Sequence, residues 1–256
     1  MSGGSVAGEL RPFYEDGYTL ADEAEGERLG RWRALGGRGK AGHVAALCDR
    51  AGLSPATVVE IGCGDGALLA ALSARGIGEV LDGFELSPKA AALARQKNLG
   101  RVRRVEAYDG QHVPATDGVY DLAVLSHVVE HVSDPLPLLR EARRVAHHVA
   151  VEVPLEANRS AARPAKRAEA ARIGHVQAFD RSAIGELCAL AGLKVVAELA
   201  DPLPLAHHAF FADTPARRAR ARVKTAVRRA AFRIAPLRSE RLFTVHYACL
   251  AERVPR

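Results

Sequence analysis

The chain has 256 residues, 48 % of them apolar, which suits one large domain with a sizeable core and excludes wholesale disorder. Its formal charge is +6, with arginine far in excess of lysine; such a balance favours anionic partners such as phosphates, nucleic acids or anionic lipid surfaces, although Arg-rich usage alone gives the same figure. Four dispersed cysteines (Cys48, Cys63, Cys188, Cys249) without a C-x-x-C pair exclude a disulfide frame or zinc knuckle, and neither a secretory leader nor an apolar run of ~18 residues is visible, so a cytoplasmic protein without a transmembrane segment is expected.

Residues 1–10 are small and of flexible type. A helix is expected from about Lys40 to Arg50, stopped by Ala51-Gly52. Val58, Val59 and Ile61 then form a short buried strand, and the glycines of "EIGCGDG" force a tight turn. "ALLAALSARG" reads as an Ala/Leu helix closed by Gly76. "EVLDGFEL" is the second strand and "SPKAAALARQKN" the second helix of this region, with Ser87 as N-cap and Pro88 at the first helical position. "RVRRVEAY" and "YDLAVLSHV" are the third and fourth strands. Asp134 caps the helix "PLPLLREARRVA", "HVAVEVP" is a fifth strand, and the basic stretch "NRSAARPAKRAEAARIGH" follows. Ser182 begins the helix "AIGELCALAG", "LKVVAELA" is a sixth strand, and "RLFTVHYACLAER" is the last. Strands alternating with helices predict an α/β fold with a doubly wound parallel sheet. The segment between the last two strands is too long for a simple hairpin.

"VVEIGCGDG" runs a strand straight into a glycine turn and a helix. Gly62, Gly64 and Ala67 formally satisfy G-x-G-x-x-A, the dinucleotide fingerprint. Glu60 at the strand end and Asp65 in the loop argue against a pyrophosphate, because negative charge there repels one. Both acids suit a ligand with positive charge, an ammonium or a sulfonium. Glu85, closing the second strand, stands where an acid receives ribose hydroxyls.

The motifs "VVEIGCGDG", "GFELSP", "AYDGQHVP" and "YDLAVLSHVVEHVSDP" occur here in the order and spacing of the Rossmann-like, class I S-adenosylmethionine-dependent methyltransferases, which the chain resembles over about residues 55–200. The resemblance implies a doubly wound, seven-stranded, mostly parallel sheet with an antiparallel last strand. It implies that Glu60 and the turn Gly62, Cys63, Gly64 and Gly66 face the methionine and ribose of S-adenosylmethionine. Glu85, with Leu86 after it, would take the ribose hydroxyls, and Asp109 and Gly110 would meet the adenine. Leu125 and Ser126 would line the far side of the methionine. The chain then divides into a tail and helical lid over 1–50, a cofactor-binding core over 51–200, a basic helical insertion over 201–240 above the acceptor, and a last strand over 241–256.

Methyl transfer is an in-line displacement at a carbon already activated by the sulfonium, so the site needs alignment and a base more than a nucleophile. "LSHVVEHVSDP" lies at the carboxyl end of the fourth strand, where open α/β sheets bind ligands. His127, Glu130 and His131 fall at i, i+3 and i+4, and would share one face if this stretch is helical. In one reading His127 is the general base, with Glu130 and His131 orienting it. In a second, His127, Glu130, His131 and the later His175 hold a divalent metal such as magnesium, which lowers an acceptor hydroxyl's pKa. That pattern is similar to one in ubiquinone-pathway O-methyltransferases and small-RNA 2′-O-methyltransferases, which carry an acid where His127 stands. In a third, all four are capping or packing residues.

"TPARRARARVKTAVRRAAFRIAP" reads as an amphipathic helix from Pro215 to Pro236, with Ala219, Val223, Ala226, Val227, Ala230 and Ile234 on one face. It suits a lid over an anionic substrate, a membrane-surface patch, an RNA-binding face, or a solvated helix docked on the sheet edge. RNA is disfavoured by the lack of stacking aromatics and a membrane surface by the small Ala and Val anchors, so an acidic small molecule, such as a phosphorylated or nucleotide-linked sugar, fits best. Upstream, His207, His208, Phe210 and Phe211 are further base or substrate-contact candidates. Tyr14, Tyr18, Trp32 and Arg33 are candidates for closing the acceptor side. The expected activity is O-methylation of a small molecule, such as a sugar, a nucleotide-linked sugar or a natural-product intermediate, with no DNA partner. The alternatives are an RNA or nucleotide methyltransferase and a non-catalytic S-adenosylmethionine-binding protein.

Overall fold

A computed structural model describes residues 23–254. Seven strands form one sheet: β1 (Thr57–Ile61), β2 (Val80–Glu85), β3 (Val102–Ala107), β4 (Tyr120–Ser126), β5 (Ala146–Pro154), β6 (Leu193–Asp201) and β7 (His246–Arg253). Their spatial order is β3-β2-β1-β4-β5-β7-β6, all parallel except β7, which is antiparallel to both neighbours. The expected seven-stranded sheet with an antiparallel last strand is therefore observed. β1 and β4 are buried on both faces, which is why Val58, Val59, Leu122, Ala123, Val124 and Leu125 make continuous apolar runs. Chain order reverses between β1 and β4, and a crevice opens there at the carboxyl ends of the strands.

Helix α1 (Glu23–Ala51) begins far upstream of the expected Lys40 start and runs through Gly30, Gly36, Gly37 and Gly39. Glycine weakens an isolated helix by about 1 kcal/mol per residue. Packing explains one of these residues: a Cβ on Gly37 would lie 2.5 Å from the carbonyl oxygen of Ala67, so α1 crosses the start of α2 (Ala67–Arg75) at a distance only glycine permits. On this face Val44 and Leu47 of α1 join Leu68, Leu69 and Leu72 of α2 in one core cluster. The opposite face is covered by α4 (Pro135–Val145) and α6 (Arg181–Leu190), which bring Leu139, Ala142, Ile184 and Cys188 into a second cluster.

The expected caps are present at α3 (Pro88–Gln96), where Ala90 N donates to Ser87 Oγ, and at α4, where Leu136 N donates to Asp134 Oδ1. Helix α6 is capped by Asp180 rather than started by Ser182, Ala183 N donating to the aspartate at 2.9 Å. The basic stretch after β5 contains α5 (Pro164–Arg172), a helix with no buried residue. Between β6 and β7 come α7 (Leu205–Ala209), α8 (Pro215–Ile234) and α9 (Pro236–Leu242). The last strand is shorter than expected, because "RL" of "RLFTVH" closes α9 instead.

The structure settles which way α8 faces, a point the periodicity left open. Its buried residues are Ala221 and Thr225, and the face named from the periodicity, with Val223, Val227 and Ile234, points to solvent. All four cysteines are buried and free. Among the described residues no helix is long and apolar enough to cross a membrane.

Candidate active site

Backbone geometry sets the glycine turn. Gly62 N and Cys63 N both donate to Phe84 O, at 2.7 and 3.1 Å, tying the turn to β2. Gly62 has φ 82° and a Cβ there would stand 2.6 Å from Val128 Cγ2, so it admits no side chain. Glu85 is fixed by the same backbone: Gly64 N donates to its Oε2 at 2.7 Å and Ser87 N to its Oε1 at 3.0 Å. Burial raises the Glu85 pKa, and the amides of Ser87 and Gly64 oppose that. Glu60 is buried too, and its Oε2 has no hydrogen-bond partner among the described residues. Burial, with Glu85 and Asp65 nearby, pushes its pKa up against the pull of Lys40. A cationic ligand group relieves such a carboxylate, while a diphosphate would aggravate it.

A cavity of about 1130 Å³ begins at this turn, lined by Gly62, Gly64, Glu85, Leu86, Gly110 and His127 among others. Tyr108 also lines it, packed edge-on against Phe84 with ring centroids 6.2 Å apart; it lies in the "AYDGQHVP" motif but was not itself singled out there. Asp109 stands at the rim, where its Oδ1 accepts from Gln111 N and His112 N and shapes the turn that presents Gly110. Cys63 faces the core beneath Gly83, whose added Cβ would meet its Sγ at 2.9 Å; it contributes its backbone to the turn. Leu125 and Ser126 are buried below the cavity, Ser126 Oγ donating to Glu152 Oε2 at 3.4 Å. Asp65 differs from expectation. Its carboxylate is taken by Arg33 of α1 at 2.9 Å and Lys97 at 3.4 Å, so its charge fastens α1 to the turn instead of standing open to a ligand.

His127 follows β4 with φ 57°, a left-handed conformation uncommon for a non-glycine residue and frequent at functional sites. His127 N donates to Glu152 O at 2.8 Å, which holds it there. Only a single 3-10 turn, Val129–His131, follows, so the helical face expected for His127, Glu130 and His131 does not form. His127 and His131 instead enter different clusters. His127 Nδ1 lies 3.1 Å from Glu130 Oε1, while its Nε2 lies 3.3 Å from His246 Nδ1 and 3.8 Å from Glu152 Oε1. Burial and Lys40 lower the His127 pKa, but Glu130 and Glu152 outweigh them and leave it above the ordinary histidine value.

Glu152, His246 and His43 went unmarked in the sequence, and tertiary structure alone assembles them. His43 of α1 sits between two acids, Nδ1 at 3.2 Å from Glu152 Oε1 and Nε2 at 3.2 Å from Asp201 Oδ2. Burial lowers its pKa, and Asp201 and Glu152 more than reverse that, to about 9. His246 is pushed down to about 4 by burial and by His127. Burial opposes ionisation of Glu152, but three histidines around it hold its pKa well below the carboxylate range. The β4–β7 side of the crevice thus holds a charged imidazolium, an ionised carboxylate, a neutral imidazole and His127.

His131 and His175 meet ring to ring at 4.8 Å beside Glu130. Among the described residues two groups have metal-ligand spacing: Glu130 with His131 and His175, and His127 with Glu152 and His246. The four-residue set expected around one metal is therefore divided, with His127 in the second group. His131 Nδ1 donates to Gly174 O at 3.0 Å and His175 Nδ1 donates to Glu156 Oε2 at 2.8 Å. Such partners fix the tautomer whose Nε2 carries the lone pair.

Trp32 packs against His207, Phe210 and Phe211 with ring centroids 5.7, 5.1 and 5.1 Å apart, joining α1 to α7. His207 Nδ1 is buried without a hydrogen-bond partner among the described residues, and His208 Nε2 donates to Pro202 O at 3.1 Å. Tyr14 and Tyr18 lie outside the described residues.

Comparison with known proteins places this geometry. Residues 38–198 match the family model described as a methyltransferase domain. A malonyl-[acyl-carrier protein] O-methyltransferase from Geobacter sulfurreducens is 34% identical over 104 residues, 40% of this chain and 39% of that protein. A ubiquinone biosynthesis O-methyltransferase from Pseudomonas paraeruginosa is 30% identical over 103 residues, 38% of this chain and 42% of that protein. The matched segment thus spans about two-fifths of each relative. Among solved structures, geranyl diphosphate C-methyltransferase from Streptomyces coelicolor, in complex with Mg2+, geranyl diphosphate and S-adenosyl-L-homocysteine, superposes with a TM-score of 0.64 at 16% identity, over 99% of this chain and 100% of that one. The matched family model covers more than half of the chain and agrees with the sheet order and the glycine turn, so the chain belongs to the methyltransferase-domain family, in its class I, Rossmann-like, S-adenosylmethionine-dependent form.

Proposed function

We propose that the protein transfers the methyl group of S-adenosylmethionine to a hydroxyl oxygen of a small-molecule acceptor. The observation that carries this reading is His127: it lines the same cavity as Gly62, Gly64 and Glu85, and buried carboxylates stand near both its ring nitrogens. Glu60, Glu85 and the turn amides would hold the cofactor, Glu85 through its ribose hydroxyls, with the Tyr108–Gly110 rim at the adenine. The cofactor supplies a methyl carbon activated by its sulfonium. His127 takes the hydroxyl proton, and the carboxylates of Glu130 and Glu152 stabilise the imidazolium that results. The same carboxylates raise its pKa above the ordinary histidine value, which makes the ring a stronger proton acceptor. Two curated relatives are O-methyltransferases by name, which supports oxygen as the acceptor atom, while a third, from Rauvolfia serpentina and 30% identical over 106 residues, is a norajmaline N-methyltransferase, so amines are the decisive control in an acceptor screen. A labelled-methyl screen of sugars, phenols, amines and RNA tests the proposal. Label in a hydroxylated small molecule is expected; label only in amines or RNA, or cofactor binding without transfer to anything, overturns it.

A second reading for the adjoining cluster is favoured by Glu130, whose buried Oε2 makes no hydrogen bond among the described residues while its Oε1 lies beside the His127 ring. Glu130, His131 and His175 would hold a divalent cation such as magnesium, which supplies a Lewis acid that lowers the pKa of an acceptor hydroxyl. Metal analysis of the purified protein, with transfer measured before and after chelation, separates the two: unchanged activity in metal-free protein removes the cation.

A further inference from the structure

Helix α8 presents to solvent the face that an amphipathic helix ordinarily buries. Ala221, Thr225 and Phe232 pack inward, with Thr225 Oγ1 donating to Ala221 O at 2.8 Å and Phe232 joining the core cluster. At ~100° per residue, Val223, Val227 and Ile234 fall on the opposite side. They are 65, 63 and 85 % exposed, and Leu237 of α9 continues the ridge. The flanks are cationic. Arg220 and Lys224 run along one side of the ridge and Arg222, Arg229 and Arg233 along the other, and α8 contains no acid. Positive charge is concentrated enough that burial, Arg228, Lys166 and Arg220 together lower the Lys224 pKa. Because Lys166 belongs to α5, the basic surface reaches beyond α8 itself.

We propose that α8 is an interfacial helix that docks the protein on an anionic lipid surface, with the Val223–Val227–Ile234 ridge entering the headgroup–acyl boundary and the flanking arginines pairing with lipid phosphates. An exposed apolar ridge between two cationic flanks matches that boundary in polarity and charge at once. A second copy of the chain fits poorly, since pairing ridge to ridge would bring two acid-free arginine rows together. Single-stranded RNA lacks the stacking platform it requires, because the exposed ridge is aliphatic. The small size of Ala and Val makes the contact reversible and dependent on charge.

The test is co-sedimentation of the full chain with vesicles of phosphatidylcholine alone or mixed equally with phosphatidylglycerol, at 0.05 and 0.5 M salt. Binding only to the anionic vesicles, weakened at least tenfold by the higher salt, is the expected result. The double substitution Val227→Asp, Ile234→Asp should reduce binding at least tenfold, and Arg222→Glu with Arg229→Glu should abolish it. All four positions are exposed, and an unchanged thermal midpoint with unchanged S-adenosylhomocysteine affinity would confirm that these variants fold. Several results overturn the proposal: no binding to anionic vesicles at low salt, binding that the ridge variants leave intact, retention of RNA but not vesicles, or a dimer in sedimentation velocity that the ridge variants dissolve.

Discussion

On the β1–β3 side of the crevice, the residues that face the cavity come from short contiguous motifs, and backbone amides position them: the Gly62–Gly66 turn, Glu85 held by Gly64 N and Ser87 N, and the Asp109–Gly110 turn. On the β4–β7 side the site is built from side chains distant in sequence, His43, His127, Glu152, Asp201 and His246, tied to one another by charge. The first arrangement is preorganised by local geometry, and in the proposed function it would hold the cofactor. The second depends on how five elements, α1, β4, β5, β6 and β7, pack together.

This contrast predicts separable failures. The largest is in chemistry: His127→Ala should lower kcat by about 10²–10⁴-fold while changing S-adenosylhomocysteine affinity, measured by calorimetry, less than twofold. A comparable loss of affinity would show that the two sides are not independent. Next, Glu85→Ala should weaken the cofactor by about 10- to 100-fold, as expected for charge-assisted hydrogen bonds lost from a buried carboxylate, with little effect on single-turnover rate at saturation.

The third prediction concerns pH. His43 is raised from 6.5 to about 9, so its stabilisation is fully present below pH 6.5 and is lost as pH rises through about 9. Chemical denaturation should show stability falling across that window, by on the order of 3 kcal/mol at most, and His43→Gln should flatten the profile. A wild-type profile already flat there would remove the imidazolium bridge between Glu152 and Asp201. The smallest effect is expected at the strap between the two sides: Arg33→Ala breaks a partly exposed pair with Asp65 and should cost about 1 kcal/mol or less. It should appear as a modestly faster cofactor dissociation in stopped flow, and a rate unchanged from wild type would mean that α1 closes the turn without that pair.

The glycine turn, its acids and the alternation of strands and helices were legible because each is encoded within a few neighbouring residues. Helix α1 was only half legible: Gly30, Gly36, Gly37 and Gly39 read as breakers, and the close crossing over Ala67 that makes Gly37 necessary is a long-range contact. His127 was visible as a titratable residue after β4, but its left-handed backbone was not, and that conformation is what sends His127 and His131 to different partners. Glu152 and His246 lie in apolar strand sequences that advertise burial. They converge because β7 is inserted antiparallel beside β5, pairing His246 with Pro154 in register.

Sequence by itself determined the class of fold and the glycine turn with its flanking acids, since tight turns and strand ends are fixed by local sterics and backbone hydrogen bonds. It also determined that α8 would be amphipathic, because that follows from a 3.6-residue period. Tertiary structure decided which way α8 faces, since Ala221, Thr225 and Phe232 fit the surface available beneath it while the periodic ridge was left outside. It also decided the electrostatics of the β4–β7 side. The protonation of His43, His127, Glu152 and His246 depends on their few-ångström separations in a largely buried cluster, and a sequence carries no record of those distances.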